Sequence, residues 1–279
     1  MALATCTELP VPDPDRAFLD RALEARGLTA DWVAWDDPAA NWSAYDAVLI
    51  RSTWNYTDHH GAFLDWVDTT ASTAVLWNPA GIVRWNSHKS YLLDLADRGV
   101  DVVPTVLVPA DEDLALDLLL DDRGWAEAVV KPAVSVGAIG ASRVPQRTAS
   151  GWTPDGHRGD LLVQPMMDEV ARGETSMIAI DGRITHAVRK IPASGDFRVQ
   201  VEYGGREVAH DPEPAELDLA ASALAAVGED LLYARVDCVG SPEGPRLMEL
   251  ELIEPSLFLP QAPPDAVDAL VEAVAARLG

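Results

Sequence analysis

Short apolar runs alternate with an amphipathic segment along the first fifty residues. Runs at 2–6, 32–35 and 47–50 have the length and composition of buried strands. The stretch from Asp15 to Arg26 carries its apolar residues at helical spacing, and Gly27 ends the predicted helix. Alternation of strands and helices in this order is typical of an open parallel α/β sheet.

Further along, strand-like runs predominate, and the glycine-rich and acidic segments follow them. Strands are predicted at 102–108, 128–131, 161–167, 233–237 and 246–251. Helices are predicted at 90–98, 216–227 and 264–278. The pattern predicts an α/β protein in three parts: an N-terminal open parallel α/β domain at 1–85, an α+β part at 86–163 and another at 164–279.

Composition narrows the function classes. With 279 residues and 48% hydrophobic content, the chain can bury a large core. Its 21 basic and 45 acidic residues give a net charge of −24, which repels nucleic acid and anionic membranes, so neither is an expected partner. Cys6 and Cys238 suggest no disulfide framework, and we find neither an export signal nor an 18-residue apolar run. A cytoplasmic protein is therefore expected.

Two acidic segments near the C-terminus predict a metal site. Asp237 ends the run Tyr-Ala-Arg-Val-Asp, and the next predicted strand carries Glu249 and Glu251. Residues two apart on a strand point to the same face, as a shared metal requires. Carboxylate oxygens are the ligands that Mg²⁺ prefers. Glu254 follows as a further candidate, and a solvated strand edge is the alternative interpretation.

A lysine followed by a glycine-rich loop predicts a phosphate site. Lys131 ends an otherwise apolar strand, where an unpaired ammonium group would be costly, so an anionic partner is expected. The loop contributes the candidates Ser135, Gly137, Gly140 and Ser142. Protein kinases place their glycine-rich loop before the lysine, and the chain lacks a Walker A sequence. A lysine for phosphate and carboxylates for a divalent cation together indicate an enzyme that uses MgATP.

Polar and aromatic residues leave the third predicted strand and suggest a substrate loop. Arg51 offers two parallel donors that suit a carboxylate, and Trp54 and Tyr56 could form the walls of a pocket. Aromatic packing in the core is the alternative for a chain with nine tryptophans. Arg189, Lys190 and Arg198 form a basic island in an acidic chain. We assign Arg198 to the transferring phosphate or the acyl phosphate and Lys190 to phosphate or the substrate carboxylate, with surface ion pairing as the alternative.

In this order, the motifs resemble the ATP-grasp superfamily of carboxylate ligases over nearly the whole chain. The resemblance implies ATP and magnesium as cofactors, with two Mg²⁺ ions and with Mn²⁺ as a possible substitute for them. Glu251 departs from the family, since many members carry asparagine there. The residues implied to bind nucleotide are Lys89, Lys131, Ser135, Gly137, Gly140, Ser142, Gln164, Met166, Met167 and Glu174. Those implied to act in catalysis are Lys190 and Arg198, and those implied to hold metal are Asp237, Glu249 and Glu251.

Several phrases are most similar to the branch that contains the cycloserine-forming O-ureidoserine cyclo-ligases. They are the segments 51–56, 173–176, 186–190 and 196–198. This resemblance implies that a small amino-acid-like substrate, O-ureido-D-serine, is activated as an acyl phosphate and closes to D-cycloserine. Two alternatives stay open: a ligase that joins an amino acid to an amine or a second amino acid, and a non-catalytic ATP sensor. Three intact acidic residues argue against the sensor.

Overall fold

The computed structural model describes residues 1–154 and 156–278, and its first sheet is parallel. The strands are β1 (Ala2–Thr5), β2 (Asp31–Ala34), β3 (Ala47–Ser52) and β4 (Val75–Trp77). They lie in the order β2-β1-β3-β4, and every neighbouring pair is parallel. The open parallel α/β sheet predicted for the N-terminal part is confirmed.

Four helices accompany and follow this sheet. They are α1 (Arg16–Ala25), α2 (His60–Ala71), α3 (Ala80–Asn86) and α4 (Tyr91–Asp97). Helix α1 forms where the apolar spacing predicted it, and it buries Leu19 and Leu23. Gly27 follows it with a φ of 68°, a left-handed conformation that glycine adopts without strain.

The second sheet is antiparallel and carries the predicted phosphate lysine. Its strands are β5 (Val106–Val108), β6 (Glu127–Pro132), β7 (Ser142–Pro145) and β8 (Leu161–Pro165), in the order β5-β8-β6-β7. Helix α5 (Leu116–Arg123) packs beside them. The strand predicted from residue 102 begins only at Val106, because Val102 and Val103 instead pair with Leu247 of the third sheet. Pro104 lacks the N–H that a continuous ladder would need.

The third sheet is antiparallel and carries the acidic residues. Its strands are β9 (Glu174–Ile180), β10 (Arg183–Ile191), β11 (Arg206–His210), β12 (Tyr233–Val239) and β13 (Arg246–Glu251), in the order β11-β10-β9-β12-β13. Helices α6 (Pro214–Val227) and α7 (Pro264–Leu278) complete the fold. A reciprocal capping box between Glu213 and Glu216 starts α6, with Pro214 in its first turn.

Helix α7 packs against the N-terminal part of the chain. Its Leu270 and Val274 are buried in one apolar cluster with Leu3, Leu19 and Leu23 of the N-terminal part. Each of the three predicted parts contains one of the sheets, although this packing crosses the predicted boundaries. Among the described residues, no helix combines the length and the apolar character needed to cross a membrane.

Candidate active site

A cavity of about 700 Å³ lies between the second and third sheets. Strand β6 and the glycine-rich loop form one wall, and the inward side chains of β9 to β13 form the other. The N-terminal part contributes Trp54 and the proline-rich segment around Pro12 to the lining. The cavity therefore receives side chains from all three predicted parts of the chain.

Three carboxylates meet on the floor of the cavity. Asp237 on β12 lies opposite Glu249 on β13, and Glu251 follows on the same face. One oxygen from each of the three lies within 4.8 Å of the others, so they can hold one ion together. The Ser176 hydroxyl donates to Asp237 Oδ1 at 2.5 Å and helps to orient that carboxylate. We refer to these three carboxylates as the metal group.

Cationic side chains of the same chain pair with the metal group. Arg235 Nη2 lies 2.9 Å from Asp237 Oδ2 and also bonds Glu251, while Lys89 bonds Glu249. Burial acts to raise the pKa of Asp237, but Arg235 and Lys190 outweigh it and hold that pKa below its usual range. Burial raises the pKa of Glu251 to about 7, and the neighbouring acids add to the rise.

Arg235 is a site residue to which sequence reasoning assigned no role. It stands two positions before Asp237 on β12, so both side chains point into the cavity. The signal was present in the Arg-Val-Asp spacing, because a basic and an acidic residue two apart on a buried strand must share a face. Its register partner is Glu251, which explains why the two are paired.

Lys131 and Lys89 reach the cavity from the side of the second sheet. Lys131 lines the cavity and has no ion-pair partner among the residues that the structure describes. Burial lowers its pKa, although nearby acids oppose the shift. Lys89 stands just before α4, where its backbone N–H donates to Ala133 O at 2.7 Å, so the two lysines lie on adjoining segments. Such a pair suits the anionic oxygens of a polyphosphate.

Only part of the predicted glycine-rich loop faces the cavity. Ser135 and Gly137 line it, whereas Gly140 and Ser142 are not among the lining residues. Gly140 has a φ of 76°, and a Cβ there would lie 2.9 Å from Pro132 Cγ, so this position requires glycine for both reasons. Ser142 begins β7 and pairs with Val130. Gly140 and Ser142 therefore affect the shape of the loop without lining the cavity.

The predicted strand at 161–167, which carries three of the nucleotide candidates, also borders the cavity. Gln164 on β8 is buried and donates from Nε2 to Thr105 Oγ1 at 2.8 Å. Met166 and Met167 follow it along the wall, and the Met166 N–H donates to Glu127 O at 3.0 Å. The two thioether side chains add apolar surface to the lining, which suits an aromatic ring.

The predicted basic island divides between two faces of β10. Lys190 points into the cavity, where its Nζ lies 2.5 Å from Glu174 Oε1 and 3.1 Å from Asp237 Oδ2. Arg189 points to the other face and pairs with Glu216 at 3.0 Å. Residues adjacent on a strand must face opposite ways, so the island could not act as a unit.

Arg198 stands at the cavity wall outside the regular strands. Its Nη2 lies 2.8 Å from Asp196 Oδ2, and its guanidinium carbon lies 3.7 Å from the centre of the Tyr203 ring. The side chain is half-buried and lines the cavity. Bonding to Asp196 and stacking on Tyr203 hold it in place.

Two of the three predicted substrate residues lie outside the cavity. Trp54 lines it, but Arg51 is 1% exposed and bonds Asp15 Oδ2 at 3.3 Å and Pro255 O at 2.9 Å. Tyr56 packs in the N-terminal core, with its ring centre 4.7 Å from that of Phe63. Strand β3 extends to residue 52, so Arg51 belongs to the sheet and not to the loop after it.

A cleft between two antiparallel sheets, with two buried lysines on one side and three clustered carboxylates on the other, is the arrangement predicted for an ATP-grasp ligase. Family models agree with this class. Residues 101–258 match the prokaryotic glutathione synthetase ATP-grasp domain, and residues 1–78 match the N-terminal domain of D-cycloserine synthetase DcsG. The chain therefore belongs to the ATP-grasp ligases, which use ATP and Mg²⁺ and form C–N bonds.

Individual proteins make the relationship more specific. The chain is 34% identical to the cycloserine biosynthesis protein DcsG of Streptomyces lavendulae, over 93% of this chain and 92% of that protein. The crystal structure of D-cycloserine synthetase DcsG matches with a TM-score of 0.87 and 31% identity, covering 100% of this chain and 99% of that one. The D-alanine–D-alanine ligase of Bacillus anthracis, with a TM-score of 0.68 and 15% identity, shares the fold.

Proposed function

We propose that this ligase activates the carboxyl group of O-ureido-D-serine and closes the molecule to D-cycloserine. The observation that carries the proposal is the likeness to D-cycloserine synthetase over the N-terminal part as well as the ATP-grasp part. The N-terminal part contributes Trp54 and the proline-rich segment to the lining of the same cavity, where they can contact a substrate bound with ATP. Likeness in this part therefore bears on substrate choice.

The proposed reaction has three stages. In the first, a carboxylate oxygen attacks the γ-phosphorus of ATP, the bond to ADP breaks, and an acyl phosphate forms. In the second, the nitrogen bound to oxygen in the ureido group attacks the activated carbonyl carbon and loses its proton, and phosphate leaves. The carbamoyl group is then lost from the ring nitrogen to water. Acid and nucleophile belong to one molecule, which raises their effective concentration.

The donor set of the metal group fits Mg²⁺. Asp237, Glu249 and Glu251 supply only carboxylate oxygens, the ligands of a hard divalent cation. We propose that they hold two Mg²⁺ ions and that Mn²⁺ can substitute. When bound, the metal neutralises and aligns phosphate oxygens. Arg235 and Lys89 pair with these carboxylates, and the pKa values of Asp237 and Glu249 are lowered, so these two are ionised before nucleotide binds.

Basic side chains of the cavity carry the remaining charge. Lys131 and Lys89 stand where they can bind the phosphates of ATP, and Arg198 and Lys190 can stabilise the transferring phosphate and the acyl phosphate. Ser135 and Gly137 let the glycine-rich loop approach the phosphates through backbone N–H groups. Gln164, Met166 and Met167 border the base, and Glu174 fixes Lys190. Closure of the loop would keep water away from the acyl phosphate.

Use of ATP and the presence of two buried free cysteines support a cytoplasmic place of action. The substrate class, a small amino acid derivative, suits a cavity of about 700 Å³ that must also accept ATP. The high negative charge supports our expectation that neither nucleic acid nor membrane is a partner.

The decisive experiment measures Mg²⁺-dependent release of ADP and phosphate with O-ureido-D-serine as the sole second substrate. Turnover with a cyclised product by mass spectrometry is expected. Turnover only with an acid and an added amine would replace the cyclo-ligase by an intermolecular ligase. ATP binding without turnover on any of a panel of amino acids would favour the sensor and contradict the proposal.

A further inference from the structure

One buried carboxylate of the cavity, that of Glu254, has no hydrogen-bond or ion-pair partner within the described part of the chain. Glu254 is 7% exposed and lines the cavity. In contrast, the metal group pairs with Arg235, Lys190 and Lys89, and Glu174 pairs with Lys190. An ionised carboxylate without a partner is costly in free energy inside a protein, so a cation from outside the chain is what would allow Glu254 to ionise in this cavity.

The backbone on both sides of Glu254 is held firmly. The Tyr233 hydroxyl donates to Ile253 O at 2.7 Å, and Arg51 Nη2 donates to Pro255 O at 2.9 Å. The Leu252 N–H donates to Asn86 Oδ1 at 2.9 Å. These bonds come from three separate elements and fix the stretch of backbone from which the Glu254 side chain projects. Arg51 acts here as a positioning residue for the cavity.

The charged groups around Glu254 leave its carboxylate without a cation of its own. Burial, and next the charge of Glu251, raise its pKa to about 8. Lys89 and Arg235 oppose this rise, but each of them already bonds a carboxylate of the metal group. Glu254 does not belong to the group whose oxygens could share one ion. A monovalent organic cation therefore suits it better than a further metal ion.

We propose that Glu254 binds the α-ammonium group of the amino-acid substrate. This inference rests on the proposed function, in which the carboxyl group beside the metal group is phosphorylated. That carboxyl and the ammonium are attached to the same carbon, so the ammonium must lie within a few ångströms of the metal group. Glu254 stands three residues after Glu251, and both line the same cavity as Trp54 of the N-terminal part.

The test combines one substitution with one change in the substrate. Glu254→Gln keeps the shape and removes the charge, and 3-(ureidooxy)propanoate is the substrate without its amino group. With a non-hydrolysable ATP analogue and Mg²⁺ present, calorimetry measures the binding of each compound to each protein. We expect Glu254→Gln to weaken binding of O-ureido-D-serine about 10- to 100-fold. Removal of the amino group should weaken binding to the natural chain by a similar factor, and binding to the variant very little.

Two controls separate this role from others. Glu243→Gln removes the same charge from the exposed turn between β12 and β13 and should change nothing. Thermal unfolding without ligand should be unchanged or slightly raised in Glu254→Gln, because the substitution removes an unpaired buried acid. Unchanged binding of ATP and an unchanged Mg²⁺ requirement are expected as well.

Three results would overturn the inference. The first is an equal loss for the amino-free compound in both proteins, which would mean that Glu254 does not sense the ammonium. The second is a raised Mg²⁺ requirement in Glu254→Gln, which would make Glu254 a metal ligand. The third is unaltered binding of O-ureido-D-serine by the variant. Failure of the natural chain to form product would refute the proposed function instead, since binding is measured apart from turnover.

Discussion

Glu249 is the residue of the metal group that Lys89 and Lys131 keep ionised. It bonds Lys89 and faces Asp237 across the β12–β13 pair. Burial acts to raise its pKa, but Lys89 and Lys131 outweigh that effect and lower it, so the side chain is ionised at neutral pH. Its negative charge is therefore available to a divalent cation whatever nucleotide is present.

Glu249→Gln should lower Mg²⁺-dependent ADP formation by at least about 100-fold, because the amide is a weak ligand for a hard cation. Far-UV circular dichroism should remain that of the natural chain. Full activity in this variant would contradict the assignment of the metal group.

Glu251→Asn is the matched substitution, since it installs the residue that many family members carry. The amide oxygen remains a ligand, and Arg235 keeps its bond to Asp237. We expect activity within about tenfold of the natural chain, with a higher Mg²⁺ requirement. The Mg²⁺ dependence of turnover measures both effects, and a complete loss would mean that the charge of Glu251 is essential.

At this scale the sequence predicts side chains whose roles depend on spacing along one strand. Glu249 and Glu251 share a face because they stand two apart, and Asp237 joins them through strand pairing. The contacts of Arg51 could not be predicted in this way, because its partners Asp15 and Pro255 lie 36 and 204 residues away along the chain. No local pattern reveals a contact of that length.

Among the elements, a buried ion pair joins Arg51 of β3 to Asp15 before α1, and both partners hydrogen-bond the segment 253–259. Asp15 accepts backbone N–H groups of Leu257 at 2.6 Å and Leu259 at 2.9 Å, and Arg51 bonds both Asp15 and Pro255 O. Burial raises the pKa of Asp15, and Arg51 opposes that rise. The cluster positions the backbone that carries Glu254.

Arg51→Met should therefore lower the free energy of unfolding by about 3–5 kcal/mol, because it leaves Asp15 buried without its cation. Arg16→Met is the control, since the Arg16–Asp20 pair is exposed and its loss should cost about 1 kcal/mol or less. Urea unfolding measures both. Unchanged stability with a raised KM for the amino acid would restore the original interpretation of Arg51 as a substrate contact.

The glycine-rich loop offers a second comparison between neighbouring positions. Gly137 and Gly140 both have left-handed φ values, 62° and 76°. A Cβ at Gly137 meets nothing within 4 Å, whereas one at Gly140 meets Pro132 beside Lys131. Either alanine should cost about 1–2 kcal/mol of local strain.

Gly140→Ala should reduce kcat about tenfold more than Gly137→Ala, a difference of about 1.4 kcal/mol, because only Gly140→Ala displaces the strand that carries Lys131. Steady-state kinetics with saturating ATP measures the ratio. Equal losses in the two variants would mean that loop flexibility, and not contact with Pro132, is what glycine supplies at residue 140.

For the whole molecule, α7 links the N-terminal sheet to the third sheet. Leu270 is 1% exposed and shares its apolar cluster with Leu3 and Leu23, as well as with Ile178 of β9. Loss of its contacts should weaken both regions at once, so unfolding is expected to be a single transition.

Leu270→Ala should lower the free energy of unfolding by about 2–5 kcal/mol through the cavity it creates. Leu278→Ala on the same helix is the control, because Leu278 is 37% exposed and its truncation should cost about 0.5 kcal/mol or less. Tryptophan fluorescence and circular dichroism should give the same urea midpoint for each variant. Two separate midpoints would show independent units.

Element positions were predictable to within a few residues because apolar periodicity and terminating glycines are local signals. Helix α1, predicted at 15–26, spans Arg16–Ala25, and α7 spans 264–278 as predicted. The packing of α7 on α1 was not predictable, since both helices present ordinary apolar faces that do not specify a partner. The family resemblance supplied what periodicity could not, namely that the second and third sheets lie on either side of one cavity.

The bond between Asp15 and the segment 253–259 has a consequence for exchanging specificity among relatives. An obvious chimaera would take residues 1–78 from one ligase and the remainder from another, following the two family models. Such a graft would separate Asp15 and Arg51 from the backbone groups that they hold at Leu257, Leu259 and Pro255. To transfer substrate preference, a chimaera must therefore take residues 1–78 and the segment 253–259 from the same protein.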